Sequence, residues 1–490
     1  MGRQLVIGID LGTTSVKACA FQTDGHVIAE VEEMNKTEYP KQGYAEQDVE
    51  HIERSSVLAL KRLIQEANIM EGELLAISFS AAMHSIVCIN ELGTPISPLL
   101  TWADGRSAEQ VKALTDEERR HYYEITGTPV HPMTPFTKLL WMKETNYAPY
   151  LEATYFMSAK EYIIYKWFGK RMIDYAMASA TGLFNPNTLQ WEPTLLQLTN
   201  IISDQLSAIV EPTTILTELC SDVAIEVGIS ATVPFVIGSA DGQLANLGSG
   251  AILPGEVAIS VGTSGAIRQF TSSFQVSATQ STFCYSFSSD SFIVGGPTNN
   301  GGVVLQWAKD LLQYEGDFAA FISESEKSEI GSEGLVFLPY LNGERAPLWD
   351  QAAKGNFYGL SISHRREHLI RAVLEGITLN LYQIGNALEQ SIGPASKVFV
   401  NGGLSRSPVW LQMLADIFNA EIYVSESHNG AAWGASWTAL VALGYASSFE
   451  DIKNYTPMNE PVVPITENSE KYKAIFEKYI SVQQVVAQLF

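Results

Sequence analysis

Two short stretches, far apart in the chain, are built on one pattern. Residues 5–21 read LVIGIDLGTTSVKACAF, and residues 257–270 read VAISVGTSGAIRQF. Each is an apolar strand, a polar knuckle built on Gly-Thr followed by Thr or Ser, and a second apolar strand. A hairpin of this kind at the head of each half predicts a duplicated α/β chain. At 490 residues the chain is also too long for one compact core, so two lobes are expected. No long linker separates them, which places the lobes directly against each other over a cleft. The boundary falls between about 243 and 255, giving lobes over 1–245 and 246–490.

The chain between the knuckles alternates strand and helix. QLVIGI, KACAFQ and HVIAEV read as a three-strand meander, with Asp24-Gly25 as the tight turn before the third strand. Val57, Leu60, Ile64 and Ala67 recur at helical spacing behind Asp48, a helix N-cap. LLAISFS and IVCIN read as strands. Residues 105–225 are mixed, with amphipathic helices such as TKLLWMKET. A second round opens with PFVIGSADG, a strand ending in a polar turn.

The knuckles suit phosphate. Glycine lets backbone N–H groups approach a ligand with no Cβ in the way, and Thr and Ser hydroxyls donate hydrogen bonds. Thr13 and Thr14 in the first knuckle, and Gly262 and Thr263 in the second, are therefore phosphate-site candidates. Lys17 follows the first knuckle closely. Asp10 adds negative charge beside such a site, which is unfavourable unless a divalent cation lies between, so it points to Mg2+. A single polar hairpin tip is usually only a turn, and it is the second copy that argues for function. Rival signatures are absent: no GxxxxGK[ST], no GxGxxG after a strand, no HExxH and no GxSxG.

Composition narrows the class. Hydrophobic content is 46% and charged content 17%, as in a globular enzyme. The formal charge of −23 repels nucleic acid and anionic lipid, so neither is an expected partner. No run of about 18 apolar residues predicts a membrane span. The first residues run straight into a strand, without the features of an export signal. Cys19, Cys88, Cys220 and Cys284 are scattered, with no CxxC pair. They are expected to be reduced and mostly buried, which fits a cytoplasmic protein.

Longer blocks carry a family resemblance. MTPFTKLLWM at 133–142 and GNFYGLSISHRREHLIRAVLE at 355–375 resemble the two signatures of the FGGY carbohydrate kinases, within the actin-like ATPase superfamily. WADGR at 102–106, SADGQ at 239–243, GTSG at 262–265 and NGGLSRSPVWLQMLAD at 401–416 agree in order. The resemblance implies an α/β fold of two actin-like (ribonuclease H-like) lobes facing across an ATP and sugar cleft. It implies Asp241 as catalytic base, sharing the metal with Asp10, and Gln243 of the same block toward the substrate. The position of Asp241 argues the same way: it follows an apolar strand at its C-terminal end, where α/β folds bind ligands. Gly262 and Thr263 would hold ATP phosphates, and Gly302 and Gln306 would line the nucleotide site. Gly402 and Gly403 match the adenosine turn. Ser407 stands where relatives often carry an adenine-facing Asn.

The substrate side is expected in the first lobe. The resemblance places Met83, His84, Trp102 and Asp104 at or near a sugar, and an aromatic face among donors and acceptors suits a polyol. Arg106 and Lys138 read equally well as loop-ordering residues. SAAMHS, TWADGRS, TGTPVHPM, DYAMASATGLFN and NGERAPLWD are most similar to the gluconokinase branch. The expected reaction is transfer from Mg-ATP to the terminal hydroxyl of D-gluconate, giving 6-phospho-D-gluconate. A xylulokinase or another sugar kinase is the alternative, and a non-kinase actin-like ATPase or chaperone a remote one. A gluconate carboxylate on so acidic a protein needs a local cation, and His84, His131, Lys160 and Arg268 are the candidates. The C-terminal helix EKYISVQQVVAQLF is apolar enough either for a homodimer interface or for packing on its own lobe.

Overall fold

In the computed structural model, which describes residues 3–425 and 429–489, both hairpins form. Strands β1 (Leu5–Leu11), β2 (Ser15–Gln22) and β3 (Val27–Met34) make an antiparallel meander. Gly25 turns the chain between β2 and β3 at φ +91°, a conformation that glycine adopts without a Cβ penalty. The helix Val49–Glu66 follows, its first turn capped by Asp48, whose side chain accepts from the Glu50 N–H. It buries Ile52, Leu60 and Leu63, and returns the chain to β4 (Leu74–Ala81), parallel to β1. A short β5 (Ile215–Leu216) and β6 (Phe235–Ala240) complete a six-stranded sheet of order β5-β6-β4-β1-β2-β3.

The second lobe repeats that plan. Strands β7 (Glu256–Val261), β8 (Gly265–Thr271), β9 (Phe283–Ser286) and β10 (Phe292–Thr298) are antiparallel neighbours. Strands β11 (Lys397–Gly402) and β12 (Ile422–Val424) add in parallel beyond β7, giving β9-β10-β8-β7-β11-β12. The long helix Arg366–Ile392 lies against this sheet and buries Ile370, Leu374, Ile377, Leu381 and Ile384. Each such side chain contributes about 1.5–3 kcal/mol, so the lobe core rests heavily on this one helix.

One helix crosses between the halves. Gly430–Ala442 comes from the second half but packs on β1 and β4 of the first sheet and along the helix Asp241–Gly248. Glycines allow the approach: a Cβ on Gly8 would lie 2.0 Å from the Ala432 carbonyl oxygen, and one on Gly434 would lie 2.1 Å from that of Leu244. Val6, Phe21 and Leu244 share a single core with Phe283, Tyr285, Trp433 and Trp437. A cut at residue 245 therefore separates the two sheets but not the packing.

One expectation is corrected here, and two are made specific. Asp241 does not sit in a turn; β6 runs directly into the helix that Asp241 begins. Cys220 is exposed, whereas Cys19, Cys88 and Cys284 are buried, and all four are free thiols. The C-terminal helix Thr466–Val486 packs on its own lobe through Tyr472, Tyr479 and Val482, with the Tyr479 hydroxyl 3.1 Å from that of Tyr340. The last residue of that segment, Phe490, lies outside the described residues. No helix among the described residues is long and apolar enough to cross a membrane.

Candidate active site

The C-terminal ends of β1, β4 and β6 bring two carboxylates to the cleft. Asp10, one residue before the end of β1, accepts a 2.7 Å hydrogen bond from the Ser80 hydroxyl on β4 and lies opposite Lys17 in the hairpin register. Burial raises its pKa, while Ser80 and Lys17 oppose the rise. Asp241 begins its helix, where the positive end of the peptide dipoles favours an anion. Its carboxylate accepts from the Gly242 N–H at 2.6 Å. Burial first, and the neighbouring Asp10 charge second, push Asp241 up to about 6, against Arg268, the Gly242 N–H and Lys160. A carboxylate poised there can take a proton from a hydroxyl at neutral pH.

The two knuckles are held differently. In the first, Asn35 donates from Nδ2 to the Gly12 carbonyl and from its backbone N–H to the Thr14 carbonyl, and Gln47 Nε2 donates to that of Thr13. The Trp102 indole N–H donates to the Thr13 hydroxyl at 3.0 Å, which leaves that hydroxyl's own proton for a ligand. In the second, the Gly262 carbonyl accepts from the Gly302 N–H at 2.7 Å and the Thr263 carbonyl from the Val303 N–H at 3.1 Å. The helix Gly302–Leu311 thus starts directly behind the second knuckle, and its N-terminus adds positive potential there. A Cβ on Gly302 would lie 2.6 Å from the Gly262 oxygen, while one on Gly262 itself would meet nothing within 4 Å. Space is open above Gly262.

A cavity of about 240 Å³ lies between the lobes. Met83, His84 and Trp102 line it from the first lobe with Asp241, and Gly262, Gly265, Ala266 and Arg268 line it from the second. His84, at φ +66°, has Nδ1 at 2.6 Å from the Ala180 carbonyl, so this nitrogen carries the proton and Nε2 is left as an acceptor. Burial, then Lys138 and Arg345, lower the His84 pKa to about 3, and the ring is neutral. The lining residues that the sequence did not single out include Met133, Tyr285 and Arg345. The Arg345 guanidinium lies 5.0 Å from the Trp102 ring centre. Its place is set by Glu344, a buried carboxylate accepting from Thr298, Asn299, Asn300, Asn380 and the Arg345 N–H. The adjacent Glu-Arg within NGERAPLWD was the available signal, since a charged pair flanked by apolar residues is seldom left unpartnered.

Other expected residues lie elsewhere. Asp104 is not presented to the cavity: it is buried and accepts from the Ala45 N–H at 2.7 Å and from Arg106, which also pairs with Glu46. It orders the loop that carries Trp102. Lys138 donates to the carbonyls of His84, Thr101 and Met133 at 2.7–2.8 Å, tying three cavity loops to one ammonium. Lys160 is locked in a fully buried pair with Asp174 at 2.5 Å, which removes it as a receptor for a substrate carboxylate. His131 is stacked edge-on against Trp349 and lines a neighbouring hollow. Gln243 is buried in its helix. Lys17 lines a separate hollow with Arg406 and Trp433. Gln306 donates to Asp310 on its own helix. Gly402, at φ +83°, and Gly403 make the turn beyond β11, and a Cβ on Gly402 would lie 2.5 Å from the Val261 oxygen. Ser407 caps the helix Pro408–Phe418 by accepting from the Trp410 N–H.

Among the described residues no three metal-ligating side chains cluster, so a cation in this cleft would rely on Asp10, Asp241 and ligand oxygens. The chain matches the FGGY family of carbohydrate kinases twice, its N-terminal domain over residues 5–248 and its C-terminal domain over 257–443. It is 37% identical to a gluconokinase of Bacillus subtilis (strain 168), over 98% of this chain and 96% of that protein. The solved gluconate kinase from Lactobacillus acidophilus superposes with a TM-score of 0.96 at 32% identity, covering 99% of each chain. A ligand-bound xylulose kinase structure from the same organism also gives 0.96 at 32%, covering 99% of this chain and 98% of that one. Two α/β lobes that share the order of five strands, a Gly-Thr knuckle in each, and full-length likeness agree: the chain belongs to the FGGY family of carbohydrate kinases.

Proposed function

We propose that the protein transfers the terminal phosphoryl group of Mg-ATP to the terminal hydroxyl of D-gluconate, forming 6-phospho-D-gluconate. The observation that carries this reading is Asp241, a raised-pKa carboxylate on the wall of a cavity that the second knuckle also lines. The 37% identical gluconokinase supports the choice of sugar acid.

In this reading Asp241 accepts a hydrogen bond from the sugar hydroxyl, aligns its oxygen on the phosphorus and takes its proton as the bond forms. Thr13, Thr14, Gly262 and Thr263 hold phosphate oxygens, with the 302–311 helix behind them. Gly402 and Gly403 border the nucleoside. Met83 and Trp102 pack on C–H faces, and His84 Nε2 accepts a sugar hydroxyl. The mutual repulsion of Asp10 and Asp241 fits a cation site, and Mg2+ held there would neutralise phosphate charge. Most of the rate gain comes from positioning and charge stabilisation, and closure of the lobes keeps water from the phosphoryl group. The four free thiols and an ATP requirement support a cytoplasmic location.

Coupled ADP release with Mg-ATP against D-gluconate, D-xylulose, L-ribulose, glycerol and a no-sugar control tests the reading. Gluconate-selective turnover is expected. The xylulose kinase structure that superposes equally well favours D-xylulose as the second reading, and ketose-selective turnover would replace the first with it.

A further inference from the structure

Two guanidiniums reach the cavity, and neither meets a carboxylate. The Arg268 side chain, from β8, has no hydrogen bond or ion pair among the described residues, and its Nε is buried without a partner. Arg345 spends one N–H on the Thr298 carbonyl at 3.1 Å, while its Nε is likewise buried and unpartnered. The two arginines repel each other electrostatically. Asp241 lowers the cost for Arg268 through its field but forms no ion pair with it within 4.0 Å. Glu344 favours the Arg345 charge through its field, yet in a chain of formal charge −23 two guanidiniums without an ion pair in one small cavity are not explained by packing. Burying a charge without a partner is costly, so such a pair persists where a ligand completes it.

The surroundings make room for Arg268 in particular. A Cβ on Gly242 would lie 2.7 Å from its Nε, and a Cβ on Gly295 would lie 2.9 Å from its Cγ. Two glycines from different lobes thus leave the slot that this side chain fills. Along β8, Gly265 follows the second knuckle and Arg268 stands three residues further on, about 10 Å at the usual strand rise. Gly265, Ala266 and Arg268 all line the cavity, so the strand runs from the phosphate end to the arginine end. Tyr285 on β9 also faces this end, in the field of both arginines.

We propose that Arg268 is the receptor for the substrate carboxylate, with Arg345 on the same anion, and that this pair makes the enzyme selective for sugar acids over neutral sugars. The proposal rests on the gluconate reading above and names the residues that would carry it. Arginine suits this role because its planar fork matches a carboxylate with two parallel N–H donors. The same donors offset an acid substrate's desolvation on an otherwise acidic protein.

The test compares D-gluconate with D-glucitol, in which a hydroxymethyl group replaces the carboxylate, in wild type, Arg268→Gln and Arg268→Lys. The ratio of kcat/KM for acid over neutral sugar is expected to fall about 50-fold in Arg268→Gln, mainly through the gluconate KM, as for a lost charge-assisted contact. Arg268→Lys should recover part of the ratio. Gluconate alone should raise the melting temperature of the wild type and not that of Arg268→Gln, which reads binding without turnover. A wild type that consumes gluconate, with a ratio unmoved in Arg268→Gln, overturns the receptor and leaves the gluconate reading standing. An equal fall in kcat on both sugars also overturns it, because Arg268 would then act at the phosphoryl end. A wild type that turns over a neutral ketose and not gluconate overturns the reading and the receptor with it.

Discussion

The two knuckles stand on the same frame and are charged in opposite ways. Both join antiparallel strands in sheets that share the order of five strands, and Gly12 and Gly262 occupy matching places. Where the first lobe has Asp10, the second has Ser260; where the second has Arg268, opposite Ala258, the first has Cys19, opposite Gly8. Carbonyls of the first knuckle are taken up by Asn35 and Gln47, whereas those of the second meet the start of the 302–311 helix. The duplicated backbone supplies two similar cradles, and the side chains divide the work. In the proposed reading the first lobe supplies anionic groups for a cation and a proton, and the second supplies positive potential for anionic ligands.

Removing the proposed proton acceptor has the largest expected effect. Asp241→Asn should lower kcat by about 10²- to 10⁴-fold in the ADP-release assay while ATP still binds. The same variant should melt at a higher temperature at pH 7.5. A carboxyl whose folded pKa is raised binds its proton more tightly when folded, so this group costs stability as pH rises from its unfolded value through about 6. Unchanged turnover would mean that the proton leaves by another route.

Glycine substitutions sharpen the contrast between the cradles. A Cβ on Gly262 meets open space, and one on Gly12 lies 2.9 Å from the Ser15 oxygen. Gly262→Ala should therefore keep the melting temperature and raise the KM for ATP about tenfold, as for one lost phosphate contact. Gly12→Ala should lower the melting temperature as well. If both variants behaved alike, the division between open and filled cradle would fail.

Asp10→Asn tests the carboxylate pair. With the Asp10 charge gone, the acid limb of the kcat profile, expected near pH 6 in the wild type, should move to lower pH. The Mg2+ concentration needed for half-maximal rate should rise. A limb that stays in place would show that Asp10 does not set the Asp241 pKa. The smallest effect is expected from Trp102→Phe, which keeps an aromatic ring in the cavity but removes the indole N–H to Thr13, about 1 kcal/mol, and part of the ring surface beside Arg345. A few-fold rise in KM for both substrates would fit a residue that joins the first knuckle to the sugar pocket.

What is local in this protein is legible in its sequence. Apolar alternation around Gly-Thr knuckles predicts both hairpins, and Asp24-Gly25 and Asp48 mark a turn and a helix start that the structure contains. Motif order along the chain is enough to place it in its family. These signals survive in one dimension because strand period, turn geometry and capping act over a few residues. The tertiary structure alone decides which charges are free. Lys160 and Arg268 read alike as candidate cations, but one is locked to Asp174 and the other faces the cavity without a partner among the described residues. Asp104 and Asp241 both read as site carboxylates, yet one is consumed by Arg106 and the other lines the cleft. Arg345 joins Arg268 from 77 positions away in the chain, and the 430–442 helix crosses to the first sheet. Such outcomes depend on which distant segments pack together, because a charge's partner, burial and pKa are properties of its surroundings and not of its neighbours in sequence.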